Sequence, residues 1–597
     1  MKKSFILFFS IVISHSELSA QMSDWGQSDT ISHHTVGPGI FFTELLYPEK
    51  PLAIYVITVD LNNPNNTVES YQSNNKVPDR IGESVLQQCQ ANSYENHRSV
   101  MGINHDFYDI NGGVAIGTNI RNGEMSHNGE WHDGTLINRS VLTIDTAKRA
   151  NVLQPAYFTD IRFSNNTRLP IEMINDRADE LHSMTTPKNV VLYNRYNGKT
   201  LTATGKYIKI RALDKWKFNS SPIRCEVIDI QEKPIQPDQD NYVIRLSGKA
   251  VEIFMENAAT GDTIYIEQMI RAVGWGAHTN DIIQAFHGYP SIIRRGTLHE
   301  GEYNRFDNST MYPNGRAYEV APHTMAGMSR DGKMLFFVVV DGRRNGWSIG
   351  LNCIETALFM VKLGAYHVIN FDGGGSSTMV INETVRNKPS DTAGERNVLN
   401  TLQVLSTAPI DHTVQSVSFK RPRISLPEKT SVQLDFFIYN RYDDIIAANS
   451  PEGISFKQTN TLNGTISPSG LFTAGEANRS GYVIATVGRH SDSIWIDVGK
   501  ESDVAISKIV NSNIGKLICV PTLIKEEALI SFNVATPSHI TISLINMAGI
   551  EIEHLVDRFC DKGQFEQRFL RNTHPPGIYL LRLISRSGTQ TIKIILL

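Results

Sequence analysis

The feature that most constrains this chain is the stretch from Lys333 to Val380. Met334-Leu335-Phe336-Phe337-Val338-Val339-Val340 is an unbroken apolar run, the pattern of a strand buried on both faces. It stops at Asp341-Gly342-Arg343. From about Ser348, Ile349, Cys353, Ile354, Ala357, Leu358 and Val361 recur at helical spacing, and Gly364 stands where a helix C-cap is expected. Tyr366-His367-Val368-Ile369-Asn370-Phe371 reads as a second strand, ending at Asp372-Gly373-Gly374-Gly375-Ser376-Ser377-Thr378. Strand, helix and strand in that order predict a right-handed crossover between parallel strands. Parallel strands put both acidic ends at one sheet edge, where open sheets bind their ligands.

The residues at that edge suit an anion. Gly373, Gly374 and Gly375 have no Cβ to keep a ligand from their backbone N–H groups. Ser376, Ser377 and Thr378 add hydroxyls, and Arg343 offers a planar fork that matches phosphate. Asp341 and Asp372 are candidate carboxylates for acid, base or nucleophile work. A lone Asp-Gly or glycine run is more often a tight solvated loop; two such elements at one predicted edge favour a site. The segment lacks the Gly-Lys-Ser/Thr of a phosphate-binding Walker loop. It is not a G-x-S-x-G elbow either, because Thr378 stands at the last glycine. A second cluster, Gly102-Ile103-Asn104-His105-Asp106-Phe107-Tyr108-Asp109, precedes Gly112, Gly113 and Gly117. In an extended chain Asn104 and Asp106 share a face and His105 points the other way. A histidine so placed is more often packed than catalytic. His127, His132, His278, His287 and His323 are scattered and form no zinc pattern. No metal site and no cofactor is predicted; a structural calcium has no loop motif to hold it.

A chain of 597 residues exceeds what one core fills, roughly 250–300 residues, so two or three domains are expected. The hydrophobic share of 41% and charged share of 20% are those of a globular protein. A net charge of -4 argues against a nucleic-acid partner, which calls for a basic face. Lys2 and Lys3, the apolar run from Phe5 to Ile13 and the small residues Ser19-Ala20 form an export signal over 1–20. That run is too short to span a bilayer, and no later segment is long enough, so the expectation is a secreted or cell-surface protein without a transmembrane segment. Of the five cysteines, Cys519 and Cys560 are placed to pair near the C-terminus or to remain packed thiols. The catalytic unit is expected over 21–408, an all-β sandwich over 411–499 and a third unit over 505–597.

Val340-Asp341-Gly342-Arg343, the helix to Leu363-Gly364-Ala365 and Asn370-Phe371-Asp372-Gly373-Gly374-Gly375-Ser376-Ser377-Thr378-Met379-Val380 resemble the signature of the phosphodiester glycosidase family. The likeness continues through Asn387-Lys388-Pro389-Ser390-Asp391 and Gly394-Glu395-Arg396, and upstream through Asn104 to Tyr108, spanning roughly residues 35–405. It implies an α+β catalytic domain. It also implies a reaction, hydrolysis of a sugar-1-phosphodiester at the anomeric carbon. Asp106, Asp341 and Asp372 are then the carboxylates to test, with Asn104, Arg343, Gly373 to Thr378 and Arg396 binding a glycan or sugar-phosphate substrate. Two departures bear on that substrate: Pro322-His323-Thr324 where the family tends to have Pro-Arg-Thr, and Phe286-His287-Gly288-Tyr289-Pro290 where it tends to have a Gly-Gly pair before Pro. Gly464 to Ala474 resembles bacterial immunoglobulin-like domains. The Gly577-Ile578-Tyr579-Leu580 strand and its neighbours resemble the C-terminal sorting domain of type IX secretion substrates, which implies that secretion machinery as a partner. Two other classes fit the same residues, a non-catalytic glycan-binding surface protein and a metal-dependent phosphodiesterase.

Overall fold

The computed structural model describes residues 25–499 apart from 110–112, 128–139, 176–188, 273–280, 300–315, 451 and 477–478. It also describes 517–596 apart from 521–522, 525, 535–536, 547–550, 572–573, 575–576 and 586–587. The export signal, His132, His278 and the Met547-Ala548-Gly549 turn lie outside the described residues. Among the described residues no helix is long and apolar enough to cross a membrane.

The expectation of an α+β catalytic domain is corrected: the chain is mostly β. The α-helices among the described residues are Val85–Ala91, Lys249–Asn257 and Cys353–Lys362. The Met334–Val340 run lies in an eight-stranded sheet whose order is Asp29–Gly37, Ile40–Tyr47, Leu52–Asp60, Met334–Val340, His323–Met328, His367–Asn370, Ser291–Arg294 and Thr297–Leu298. Every pairing in it is antiparallel. The strands on either side of the helix do run the same way, but His323–Met328 is inserted between them and pairs antiparallel with both. The local pattern fixes the direction of two strands, not which strand separates them.

Burial on both faces explains the apolar run. Leu335, Phe337 and Val339 enter one core, with Met101, Ile103, Leu402 and Val404 from a five-stranded sheet. Phe336, Val338 and Val340 enter a second core, with Cys353, Ala357, Leu358 and Met360 of the helix. Period-two alternation thus feeds two apolar layers and leaves no polar face to interrupt the sequence. The helix starts at Cys353, later than the periodicity suggests. Asn352 caps it by accepting from the Glu355 amide, while Glu355 reaches back to the Asn352 amide.

Three further bodies stand out among the described residues. Strands between Pro155 and Ala272 belong to a second eight-stranded sheet with its own core around Phe163, Ile208, Phe254 and Ile266. Residues 416–498 form three small sheets around Phe436, Phe472 and Ile496. Residues 517–596 form sheets of three and five strands around Ile530, Leu544 and Leu581. The middle body rests on the first sheet: Lys420 O accepts from His33 N at 2.7 Å, and Phe437 stacks on His34 at 4.2 Å. Each cysteine is buried and no disulfide joins any of them.

Candidate functional site

Both acidic strand ends reach one edge of the first sheet, with Pro322-His323 between them. His323 pairs with Val340, the amide of Phe371 donates to Thr324 O, and the amide of Gly374 donates to Pro322 O. One intervening strand sets Asp341 and Asp372 roughly 10 Å apart by strand spacing. They have different surroundings.

Asp341 is 1% exposed. Its carboxylate accepts from Tyr55 Oη at 3.2 Å, Trp347 Nε1 at 2.8 Å, Asn387 Nδ2 at 3.0 Å and the Lys388 amide at 3.0 Å. These donors occupy the acceptor positions a carboxylate has. Burial raises its pKa while the same donors hold the rise back. Asp341 is a clamp that ties its own turn, through Trp347, to Tyr55 and to Asn387-Lys388.

Asp372 is half-buried and opens the glycine loop. Burial pushes its carboxyl up to about 6, against the Ser376 hydrogen bond and the Arg396 charge, with Asp106 adding to the rise. Gly374 carries a φ of +63°, which a side chain rarely adopts, and a Cβ there would stand 3.1 Å from Arg343 Nη1. A Cβ on Gly375 would stand 2.2 Å from both Arg396 Nη2 and Asp391 Oδ1. The glycines therefore let two guanidinium groups close on the loop. Arg343 is steadied by Glu319 at 2.7 Å, and Arg396 by Asp391 through a fork with bonds of 2.8 and 3.0 Å. Arg396 Nη1 also lies 3.5 Å from Ser376 Oγ. The loop amides are largely committed: Gly374 N to Pro322 O, Ser376 N to Gly373 O, Ser377 N to Gly374 O and Thr378 N to Asn104 Oδ1. The anion-binding capacity of this site thus rests on the two arginines more than on the amides that the glycine run suggests.

Asn104 is a second clamp. Its Nδ2 donates to Asp372 O at 2.7 Å, and its Oδ1 accepts from Thr324 Oγ1 and the Thr378 amide. The Asp372 amide donates to His105 O. His105 is buried, and burial lowers its pKa to about 4. It is a packed neutral imidazole lying against Phe286 and Phe371. The side chain of Asp106 has no exposure; its Oδ1 meets His287 Nδ1 at 2.5 Å and its Oδ2 accepts from Gly117 N at 2.9 Å. Burial opposes its charge, but His287 and the Gly117 amide outweigh that and hold its pKa low. His287 is the residue that sequence reasoning passed over. It is the last residue but one of the strand Ile282–Gly288, in the very segment noted as a departure, yet its partner lies 181 positions away.

Among the described residues no three His, Cys, Asp or Glu side chains group to hold a metal ion. A surface recess of about 440 Å³ on the 155–272 sheet, lined by Asn219, Ser220, Pro222 and Glu267 to Arg271, contains none of the site residues.

The family model described as phosphodiester glycosidase matches residues 231–405. The matched span holds His287, Arg343, the glycine loop and Arg396, while Asn104 and Asp106 precede it. The Bos taurus N-acetylglucosamine-1-phosphodiester alpha-N-acetylglucosaminidase is 30% identical over 126 residues, 19% of this chain and 21% of that protein. The Homo sapiens protein of the same name is 30% identical over 116 residues, 19% of this chain and 22% of its own length. The chain thus spans about a fifth of the curated relatives it matches. The solved zebrafish N-acetylglucosamine-1-phosphodiester alpha-N-acetylglucosaminidase catalytic domain aligns at 14% identity and a TM-score of 0.31, over 64% of this chain and 87% of that one. A hypothetical protein from Synechocystis aligns at 14% identity and a TM-score of 0.40, over 62% of each chain.

Proposed function

We propose that this chain is an exported hydrolase that cleaves a sugar-1-phosphodiester between the anomeric carbon and its oxygen, releasing free sugar and a phosphomonoester. The observation that carries this reading is the convergence of Arg343, Arg396 and Asp372 on one glycine loop, inside the span that matches the phosphodiester glycosidase family. The guanidinium groups hold the phosphate and stabilise the charge that builds on it as the bond breaks. A phosphomonoester leaves readily, so little acid assistance is needed. Asp372 faces the sugar carbon and, when ionised, stabilises its oxocarbenium-like charge. Asp341 and Asn104 keep the loop in place. The relatives' names point to an N-acetylglucosamine substrate.

The test is turnover of an α-N-acetylglucosamine-1-phosphate alkyl diester in ¹⁸O water. Label in the sugar is the expected result. Label in the phosphate means P–O cleavage and overturns the reading, as does binding without turnover. Replacing Arg343 by Lys keeps charge and loses the fork. It is expected to slow the phosphodiester more than an activated aryl glycoside, which has no phosphate to hold; equal losses would contradict the assigned role.

Export rests on the leader over 1–20 and on the sorting-type strands near the C-terminus. Deleting the residues after about 500 is expected to leave active enzyme in the periplasm; surface delivery of that chain would remove the sorting role.

A further inference from the structure

Behind the glycine loop lies a pair of side chains that the arginines and Asp372 do not account for. Asp106 and His287 are 3% exposed each, and the Asp106 side chain is fully covered. A carboxylate only accepts, so the 2.5 Å contact puts a proton on Nδ1 of His287; in the neutral ring Nε2 then keeps its lone pair. That Nε2 is buried and has no hydrogen-bond partner among the described residues. Asn400 Nδ2, Ser377 Oγ and Thr378 Oγ1 share this condition. All belong to the same neighbourhood: Asn400 Oδ1 accepts from the Asp106 amide, Thr378 N donates to Asn104, and Ser377 follows Ser376 in the loop. Leaving a buried polar atom unpaired costs about 1–3 kcal/mol, and folded proteins leave few of them.

The chain is shaped around this imidazole. A Cβ on Gly117 would stand 1.8 Å from His287 Cγ, so only glycine admits the ring there. The pair is joined to the reacting edge through the backbone. His105, next to Asp106, accepts from the Asp372 amide, and Tyr289, two residues past His287, donates to Asn370 O. Asp106 orients the ring so that its second nitrogen meets no partner among the described residues.

We propose that His287 is a further catalytic residue of this site, with Nε2 as the acceptor for one substrate-side O–H and Asp106 as its positioning residue. The inference rests on the hydrolase reading above. The O–H belongs either to the attacking water or to a sugar hydroxyl. With water, Nε2 takes the proton as the water oxygen bonds to the anomeric carbon; the carbon–oxygen bond to phosphate breaks and the phosphomonoester leaves with the electron pair. His287 then returns the proton to solvent. With a sugar hydroxyl, Nε2 only holds the ring in place.

The experiment uses the full chain and the α-N-acetylglucosamine-1-phosphate alkyl diester, with His287→Ala, His287→Gln and His287→Ala combined with Asp106→Asn. A general base contributes about 10²–10⁴-fold. A kcat loss in that range with KM unchanged assigns the water, and a raised KM with a smaller kcat loss assigns the sugar hydroxyl. Added imidazole is expected to restore at least about 10-fold to His287→Ala, because the ring-shaped space beside Gly117 is kept, and nothing to the double variant. Full activity in His287→Gln, or rescue that ignores Asp106, overturns the proposal. Nitrogen NMR of the wild-type ring is independent of turnover: Nδ1 protonated and Nε2 bare is expected, and the reverse tautomer overturns the pair. If the wild type turns nothing over but the tautomer is as stated, the hydrolase reading fails and the oriented pair stands.

Discussion

Asp341 and Asp372 look equivalent in the sequence, each an aspartate before a glycine at the end of an apolar strand. What separates them is the number of donors each meets. Trp347, Asn387, Lys388 and Tyr55 converge on Asp341, while Asp372 keeps a carboxyl that burial holds up to about 6. That contrast is not legible locally, because Tyr55 lies 286 positions from its partner. That Arg343 and the glycine run stand at one edge was legible, since both follow from residue type and immediate neighbours; that the loop amides are already committed was not, because their acceptors include Pro322 and Asn104. The raised pKa has a consequence for stability. Between the ordinary aspartate value, about 3.9, and about 6, the folded chain binds a proton at Asp372 that the unfolded chain releases, so stability falls as pH rises through that window and stays lowered above it. Asp372→Asn removes the charge with little change of shape. It is therefore expected to abolish most turnover and yet raise the melting temperature at pH 8, with the gain fading toward pH 4. A variant less stable than wild type at pH 8 would show that the carboxylate is held by favourable contacts instead.

At the scale of elements, strands were legible and their partners were not. The unbroken apolar run marks Met334–Val340 as buried on both faces, and the two cores show why, but nothing within Lys333 to Val380 announces that His323–Met328 slides between the two outer strands. Sheet order depends on distant segments, whereas helix ends depend on nearby ones. The Cys353–Lys362 helix covers one core, and its first residue lies 3.8 Å from Asn370 Oδ1 and 3.7 Å from His323 Nδ1, at the same edge as the site. Its start is fixed by Asn352, whose side chain accepts from Glu355 N at 2.8 Å. Asn352→Ala is expected to destabilise the chain by about 1 kcal/mol, the usual worth of such a cap. Glu355→Gln keeps the capping box but loses the 3.1 Å pair with Lys50, a partly exposed pair of small value. Urea midpoints should therefore fall clearly for the first variant and barely for the second. Equal shifts would place the stabilisation in the ion pair.

Across the whole molecule, the few clustered functional groups of residues 411–499 suggest a spacer or a weak glycan contact, and the contacts argue for a buttress. Asp29–Gly37 is the outermost strand of the first sheet, and an open edge invites pairing with other chains. The middle body covers part of it: His33 N donates to Lys420 O, and Thr35 O accepts from Tyr439 Oη at 2.9 Å; Arg98, on the strand Arg98–Asn104 of another sheet, adds a pair with Asp444 at 2.7 Å. His34 is 4% exposed beneath Phe437. Burial, with the charges of Arg386, Lys420 and His33, lowers its pKa to about 3. An unfolded or uncovered His34 titrates near its ordinary value, about 6.5. The covered state therefore binds fewer protons between about 3 and about 6.5, and its stabilisation is complete above that window and lost as pH falls through it. None of the site residues belongs to 411–499, so a chain ending at residue 408 is expected to keep its kcat on a soluble phosphodiester. It should melt at a lower temperature than the full chain at pH 7.5 and aggregate more readily through the uncovered strand. The difference in melting temperature should narrow as pH is lowered from 7.5 to 5, because the full chain alone loses the contribution of a neutral His34. His34→Phe keeps an aromatic ring against Phe437 without a titrating group, so in that background the difference should stay level with pH. A gap that widens on acidification, or that narrows equally with Phe at position 34, would show that charges other than His34 govern how the middle body is held.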